Sequence, residues 1–567
     1  MGTVKMIVDS IEFLDRNFIF DNNTSNLIKT DYPTFCRFPV IYVIYSNKSM
    51  VAYVGETTNI SSRIRQHLRD AEKSKLKNIK VIFSHYFNKS AVLDIEANLI
   101  KYMGADGSYM LLNANDGITD HEFYQRQEYN NTFHEIWERF KLDNLVKHDI
   151  LEIENSNLFK FSPYKALSEN QHFVIHQYLE LIIEGKGETI FFEGSAGTGK
   201  TIIAIYLMKL LLNDVSEDDV RESNEYSSLI PLANEAKKIL FKNISEPKIG
   251  LVVPMKSLRK TLKGVFKSIN GLKPNMVITA SEAMKSSDYD LLLVDESHRL
   301  KRRKNIVGYG AFDKNNASLG LGQDGTELDW VMLSSRYTAF FYDPEQSVRP
   351  SDIPHEKFLA IKSHAQTLML TSQMRVLGGN NYIDFVDKLL TGSNDLSRWE
   401  SHVYELKLFR NIHDFIKNME EKESKYKLCR TISGYSWEWL SKKEPSTPDL
   451  VIDGIEFFWN RIDEDWINST TSITEMGCIH TTQGYDLNYA GIIFGSDIRY
   501  NNEAGRIETI ATNYYDRNGK AGISPDDLHE YIIKIYKTIM YRGIKGTFIY
   551  CYDPNLRDYF SQYIPIY

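Results

Sequence analysis

Gly194-Ser-Ala-Gly-Thr-Gly-Lys-Thr201 fits the pattern G-x-x-x-x-G-K-[ST], a spacing with a physical purpose. Glycines at 194, 197 and 199 let the backbone curl until its N–H groups face a chain of phosphates, and no side chain blocks the approach. Lys200 supplies a point charge for the β- and γ-phosphates, and the Thr201 hydroxyl is a ligand for Mg²⁺. The candidate ATP contacts are therefore Gly194, Ser195, Ala196, Gly197, Thr198, Gly199, Lys200 and Thr201. Further along, the apolar run Leu291-Leu-Leu-Val294 ends in two adjacent carboxylates, Asp295 and Glu296. In-line phosphoryl transfer needs one group to hold Mg²⁺ and another to polarise water; Asp295 suits the first task and Glu296 the second.

Such groups work only if the backbone aims them. Residues 189–192, 249–253 and 290–294 are short apolar runs that alternate with longer helical patterns, including Ile202–Leu212 directly after the glycine loop. That rhythm predicts a parallel α/β sheet, whose ligands sit at the carboxyl ends of the strands. A smaller α/β unit is predicted over 37–116: strands at 40–45 and 51–55 around a turn, a basic helix from Ile60, a strand over 80–87 and a helix over 90–103. The charged, aromatic stretch Phe133–Lys141 reads as helix and joins the two regions, and the acidic, polar cluster over 213–225 reads as an exposed insertion.

In this context residues 165–550 resemble superfamily 1 helicases, and especially the helicase/ATPase module of Schlafen-like proteins. Leu167-Ser-Glu-Asn-Gln171 resembles the adenine-reading Q motif, and Val252–Leu258 a segment that contacts a single strand. Phe340-Phe-Tyr-Asp-Pro-Glu-Gln346 is similar to the motif coupling the γ-phosphate to nucleic acid. Ser372-Gln-Met-Arg375 resembles motif IV, Ile479–Asp486 motif V, and Met540-Tyr-Arg542 motif VI, where Met-Tyr replaces the commoner Leu-Thr. The resemblance implies that Gln171 and Gln346 contact nucleotide and that Arg375 and Arg542 reach the γ-phosphate from a second lobe. A permanently charged guanidinium stabilises the transition state there only when the lobes close, which ties hydrolysis to motion.

Val40-Ile-Tyr42 and Tyr53-Val-Gly55, followed by Asn59, Arg63 and His67, resemble a GIY-YIG nuclease in which Val40 replaces the first glycine. Leu93-Asp-Ile-Glu96 resembles that family's metal-bearing helix, and Asn113 or Asn115 its closing asparagine. The likeness implies that one tyrosine activates water, an arginine stabilises the pentavalent phosphate and a divalent metal on the glutamate shields the leaving oxygen. Tyr42, Tyr53, Arg63, His67 and Glu96 occupy the matching positions, with Mg²⁺ or Mn²⁺ as the ion. Residues 63–80 carry Arg63, Arg65, Arg69, Lys73, Lys75, Lys77 and Lys80 against Asp70 and Glu72, a local excess suited to a phosphate backbone. Arg299–Lys304 is a second basic strip, readable as a phosphate contact or a solvated loop; Trp437 and Trp439 read as base-stacking or as one face of a buried strand.

With 567 residues the chain exceeds what one core supports. The four cysteines are far apart, which fits neither a disulfide framework nor a metal knuckle and matches a reducing cytoplasm. No apolar run is long enough for a membrane helix, and the net charge of −8 leaves nucleic-acid binding to local patches. The expected architecture is a mixed α/β GIY-YIG domain (1–125), a helical linker (126–160) and two RecA-like parallel-sheet lobes (161–370 and 371–567). The expected protein is an ATP-dependent DNA translocase or helicase fused to an endonuclease that cuts foreign DNA in bacterial antiviral defence. A nucleotide-gated nuclease without unwinding, or an RNA-directed one, are the alternatives, and an oligomer or partner protein is compatible with all three.

Overall fold

Val40-Ile-Tyr-Val-Ile-Tyr-Ser46 is β-branched and aromatic almost throughout, a composition that fits a strand with both faces covered. In the computed structural model it is the middle strand of a five-stranded sheet. The structure describes residues 10–113, 123–163, 167–212, 229–243, 245–347, 349–461, 466–468, 473–482 and 485–567. The expected insertion at 213–225, together with Asn115, Gln483 and Gly484, lies outside them. The fold divides into two compact units: 1–168 with 205–234 and 262–275, and 169–204 with 235–261 and 276–567.

In the first unit the strands are β1 (Leu14–Ile19), β2 (Val40–Ser46), β3 (Val51–Thr57), β4 (Asn78–Phe83) and β5 (Met110–Leu111), ordered β1-β4-β2-β3-β5. The strand expected over 80–87 ends at Phe83, because Ser84 turns the chain: its hydroxyl donates to the Glu12 carbonyl at 2.6 Å and its own carbonyl accepts from the Phe87 amide. β1, which the sequence did not announce, pairs antiparallel with β4 and carries Asp15 to the buried Lys80. Helix Lys89–Asp106 covers one face of the sheet, starting at the Asn88 cap and stopping at Gly107 in the left-handed region. Helix Arg126–Leu142, expected to join two modules, sinks Tyr129, Phe133, Ile136, Trp137 and Phe140 into the same core as Ile41, Val43 and Ile95.

In the second unit β6 (Thr189–Gly194), β7 (Ile249–Val252), β8 (Val277–Ile278), β9 (Tyr289–Val294), β10 (Ser335–Tyr342) and β11 (Gln366–Leu370) form a parallel sheet ordered β11-β6-β10-β9-β7-β8. Every residue of β9 is buried, as a strand covered on both faces requires. Phe191 and Phe192 stack on their register partners Phe340 and Phe341, with ring centroids 5.0 and 4.7 Å apart. These pairs stiffen the strands that end at the glycine loop and at Asp343.

A second parallel sheet follows, ordered β12-β20-β17-β13. Its members are β12 (Glu405–Phe409), β13 (Cys429–Ser433), β17 (Leu487–Phe494) and β20 (Gly543–Cys551). The short strands β14 (Leu450–Ile452), β15 (Ile455–Trp459) and β16 (Glu475–Met476) make a side sheet, and β18 (Ile498–Asn501) pairs with β19 (Arg506–Thr509). The whole is the expected mixed α/β unit followed by two RecA-like parallel sheets. Among the described residues no helix is long and apolar enough to cross a membrane, and all four cysteines are free.

Candidate functional site

The register of the β2–β3 hairpin sets the first cluster. Tyr42 lies opposite Gly55 and Ile44 opposite Tyr53, so the period of two puts both tyrosines on one face. The ring of Tyr42 lies over Gly55 so closely that a Cβ there would sit 2.3 Å from the Tyr42 hydroxyl. That is why the second glycine of the signature is retained, whereas Val40, opposite Thr57, is merely a buried strand residue. Asn113 clamps β3 from its other side: its side-chain oxygen accepts from the Val54 amide at 3.0 Å, and its nitrogen donates to the Val54 carbonyl at 2.8 Å.

Helix Ile60–His67, capped by Asn59 through the Ser62 amide, presents Arg63 and His67 on one face four residues apart. Arg63 Nε donates to the Tyr42 hydroxyl at 3.0 Å and its Nη2 to the Tyr53 hydroxyl at 3.4 Å. His67 Nε2 is 2.8 Å from the same Tyr42 hydroxyl. Burial, with Arg63 and Lys73 nearby, holds the imidazole down at about 2, so the ring is neutral and one nitrogen can accept a proton. Burial also pushes Tyr42 well above its ordinary range, and the Arg63 guanidinium opposes that shift. The cluster thus gathers a buried phenol, a neutral imidazole and a fixed cation at one oxygen, and burial keeps the proton on Tyr42 until a charged group enters the site.

Glu96, on helix Lys89–Asp106, accepts from the Glu56 amide at 3.1 Å. Burial and then the neighbouring Glu56 carboxylate push it up to about 8, against the pull of Lys89 and Arg63. A buried carboxyl held so uncomfortably fits a divalent cation, which would relieve both causes at once. Among the described residues no group of three His, Cys, Asp or Glu side chains gathers for a metal.

The second cluster surrounds the glycine loop. β6 leads into it and helix Lys200–Leu212 leaves it, with Gly197 and Gly199 at φ 88° and 85°, where any other residue is strained. A Cβ on Gly197 would lie 2.0 Å from Gln373 Oε1, and one on Gly199 2.3 Å from Gln171 Nε2. Gln171 donates to the Thr198 carbonyl at 3.0 Å, and Thr198 Oγ1 to the Ser195 carbonyl at 3.0 Å. Lys200 Nζ donates to the carbonyls of Gly194 at 2.6 Å and Ser195 at 2.9 Å and lies 3.4 Å from Asp343. Gln346 Nε2 donates to the same Asp343 carboxylate at 2.6 Å. From the segment after β11, Gln373 Nε2 donates to the Ala196 carbonyl at 2.6 Å and the Met374 amide to the Gly197 carbonyl at 2.9 Å.

Thr201 Oγ1 donates to Asp295 Oδ2 at 2.7 Å, uniting the two side chains that chemistry assigned to Mg²⁺. Burial, then the adjacent Glu296, raise the Asp295 carboxyl. Burial would raise Glu296 too, but His298, Lys200 and Arg542 hold it low, so it stays ionised. Arg542 is 2% exposed, and burial followed by the charge of Arg375 brings it down to about 10. Arg375 forms an ion pair with Asp486, and Arg542 Nη1 donates to the Tyr485 carbonyl at 3.3 Å. The structure therefore gathers Gln171, Lys200, Thr201, Asp295, Glu296, Gln346, Arg375 and Arg542 around one loop.

Several residues near these clusters were not singled out in the sequence. His298 Nε2 lies 2.9 Å from Glu296 Oε2, off the line of a hydrogen bond, and is wholly buried. Lys73 is 6% exposed and sets its ammonium 4.3 Å from the centroid of the Tyr53 ring. Its only sequence signal was membership of the basic run, and that run is not one surface. Arg63, Lys73 and Lys80 point inward, while Arg65, Arg69, Lys75 and Lys77 are exposed. Likewise Arg299 is buried on Asp352 at 2.7 Å, and Arg303 is engaged by Asp313. Trp439 packs edge-on against Trp459 and Trp437 lies against the same core, but both are half-buried and sit in the loop after β13, not in a strand.

These features coincide with known families. The Schlafen group 3, DNA/RNA helicase domain matches residues 187–553, and the GIY-YIG catalytic domain matches residues 38–110. The chain belongs to the Schlafen group 3 helicase family and carries a GIY-YIG domain ahead of the helicase domain. An uncharacterized protein of Saccharomyces cerevisiae, YPL245W, is 24% identical over 409 residues, covering 65% of this chain and 82% of its own. Among solved structures, Bacteroides sp Pif1 in complex with ADP-AlF4 matches at 11% identity and TM-score 0.21, over 46% of this chain and 57% of that one. Pif1 described in DNA unwinding at forked dsDNA matches at 11% identity and TM-score 0.24, over 68% and 92% of the two chains.

Proposed function

We propose that this protein is an ATP-driven nucleic-acid translocase or helicase joined to a metal-dependent endonuclease, acting on DNA. The observation that carries the reading is a double convergence. Tyr42, Arg63 and His67 meet at one hydroxyl, and Thr201 meets Asp295 beside Glu296 at the end of β9. In the nuclease, water bonds to the phosphorus as it gives up its proton through Tyr42 and His67, and the P–O bond to the departing oxygen breaks; Arg63 steadies the charge that develops, and Tyr53, 8% exposed and bonded to Arg63, keeps that guanidinium in place. Glu96 would hold Mg²⁺ or Mn²⁺, which supplies charge for the departing oxygen.

In the motor, the loop from Gly194 to Thr201 cradles the phosphates of ATP, Gln171 and Gln346 report on its base and γ-phosphate sides, and Thr201 with Asp295 would hold Mg²⁺. Glu296 orients water, and Arg375 and Arg542 answer the charge that develops on the γ-phosphate. The working boundaries are 1–125 for the nuclease signature, 126–160 for helices that complete its core before the motor begins, and 161–370 and 371–567 for the lobes. A cytoplasmic role in bacterial defence against foreign DNA rests on analogy with nuclease–ATPase fusions. RNA is the second substrate reading, favoured by the DNA/RNA description of the matching helicase family.

The test is cleavage of plasmid, single-stranded DNA and RNA with Mg²⁺ or Mn²⁺, with and without ATP, for wild type, Glu96→Ala and Lys200→Ala. Cutting that disappears in Glu96→Ala and changes with ATP only when Lys200 is intact supports the proposal. Nucleic-acid-stimulated ATP hydrolysis with no cutting under any condition would leave a motor and remove the nuclease.

A further inference from the structure

Glu96 is not the only carboxylate at its position. Glu56 lies opposite Ile41 in β3, so it faces away from Tyr42 and toward helix Lys89–Asp106, where both Glu96 and Lys89 reside. Its backbone amide donates to Glu96 Oε1 at 3.1 Å, and one carboxylate oxygen, Oε1, is ion-paired with Lys89. The other oxygen, Oε2, is buried with no hydrogen-bond partner, and the Glu56 side chain is only 10% exposed. Lys89, by contrast, is 49% exposed. A buried carboxylate oxygen without a partner is costly, and a second carboxylate beside it makes the arrangement worse. The group that relieves two such carboxylates together is a hard divalent cation, which takes carboxylate oxygens as ligands.

We propose that Glu56 and Glu96 jointly hold the divalent cation of the nuclease, and that Lys89 is a built-in competitor for Glu56 that lowers the affinity. The proposal rests on reading residues 38–110 as a nuclease. It adds a second protein ligand to the single glutamate that the family signature supplies. Two carboxylates neutralise a divalent ion, whereas the Lys89 ammonium neutralises one of them beforehand. Metal entry at Glu56 is therefore an exchange of one cation for another, with Lys89 swinging toward solvent.

The experiment titrates Mn²⁺ into the full chain without nucleotide and follows bound ion by electron paramagnetic resonance. All arms carry Asp295→Asn so that the ATP site contributes no signal. Glu96→Gln and Glu56→Gln should each weaken binding at least tenfold, and Lys89→Met should tighten it about threefold or more. Because Lys89→Met keeps both carboxylates, its gain in affinity cannot come from misfolding. In a parallel cleavage assay with Asp295 intact, Glu56→Gln should recover its rate when Mn²⁺ is raised, as a ligand defect does and a structural defect does not. Wild-type affinity in Glu56→Gln alongside a loss in Glu96→Gln would overturn the proposal while leaving the nuclease intact. Unchanged or weaker binding in Lys89→Met would overturn the competition. A parent chain that binds no Mn²⁺ in this unit would overturn both the proposal and the nuclease reading beneath it.

Discussion

Replacing Gly55 by Ala adds one methyl group at the most crowded point of the nuclease cluster. The new Cβ would fall 2.3 Å from the Tyr42 hydroxyl, 2.4 Å from Cζ and 2.9 Å from Cε2, so the whole ring edge is in the way. Tyr42 is 0% exposed, and its hydroxyl sits between His67 at 2.8 Å and Arg63 at 3.0 Å, so the ring cannot yield without leaving both partners. Overpacking a core costs about 1–3 kcal/mol. Two lost hydrogen bonds add roughly 0.5–1.5 kcal/mol each. The nuclease unit should therefore lose about 2–6 kcal/mol of the roughly 5–15 kcal/mol typical of a folded domain. A reacting group displaced by about 1 Å loses on the order of 10²-fold in rate. Single-turnover cleavage at saturating Mn²⁺ should fall by that factor, with ATP hydrolysis unchanged. Tyr42→Phe is the companion: it removes the hydroxyl without adding volume, so cleavage should fall comparably with a smaller change in melting temperature. A Gly55→Ala protein that cuts at the wild-type rate would refute the argument that this hydroxyl needs its bonded position.

Other expectations follow from the same geometry. Lys200→Ala should abolish ATP hydrolysis, whereas Glu96→Ala should abolish cutting and leave ATPase activity near normal; equal loss of ATPase activity in Glu96→Ala would contradict separate sites. His298→Ala removes the ring 2.9 Å from Glu296 and should lower kcat for ATP about tenfold with little effect on KM, read in a steady-state assay. Glu96 is raised to about 8 from an ordinary 4.5, so the folded chain keeps a proton that the unfolded chain gives up. Without metal, the nuclease unit should lose stability as pH rises from about 4.5 through about 8, and Glu96→Gln should flatten that slope in melting experiments across the window.

The ATP loop was legible because its chemistry is contiguous: eight residues dictate both the turn and the ligand, and the flanking apolar runs dictate the strand and helix. Tyr42 and Tyr53 were nearly as open, since a hairpin with period two fixes which side chains share a face. Glu56 and Lys73 were hidden: the hairpin period sets the face that Glu56 takes but not what meets it there, and a lysine in a basic run gives no hint of direction. Only the packing of helix Lys89–Asp106 brings Glu96 to Glu56, and only burial turns Lys73 onto Tyr53. The basic strips misled for the opposite reason. Arg299 and Lys80 look like surface charge until Asp352, Asp15 and Asp143, distant in sequence, arrive to neutralise them. Strand β1 was invisible because Leu14-Asp-Arg-Asn-Phe-Ile19 alternates too weakly, its place being set by β4 and the Asp15–Lys80 contact.

The core around Ile41, Val43 and Ile95 bears on how portable the nuclease is. Its apolar wall is completed by Phe13 on one side of the matched segment and by Trp137, Phe140, Ile153 and Phe159 on the other. The segment 38–110 carries the recognisable signature, yet cut out as a cassette it would bare the outer side of helix Lys89–Asp106, where Tyr102 packs on Phe133, Trp137 and Phe159. The piece that inheritance recognises is smaller than the piece that folds. Grafting this cutter onto another protein would mean transplanting residues with no catalytic mark, from before Phe13 to beyond Phe159.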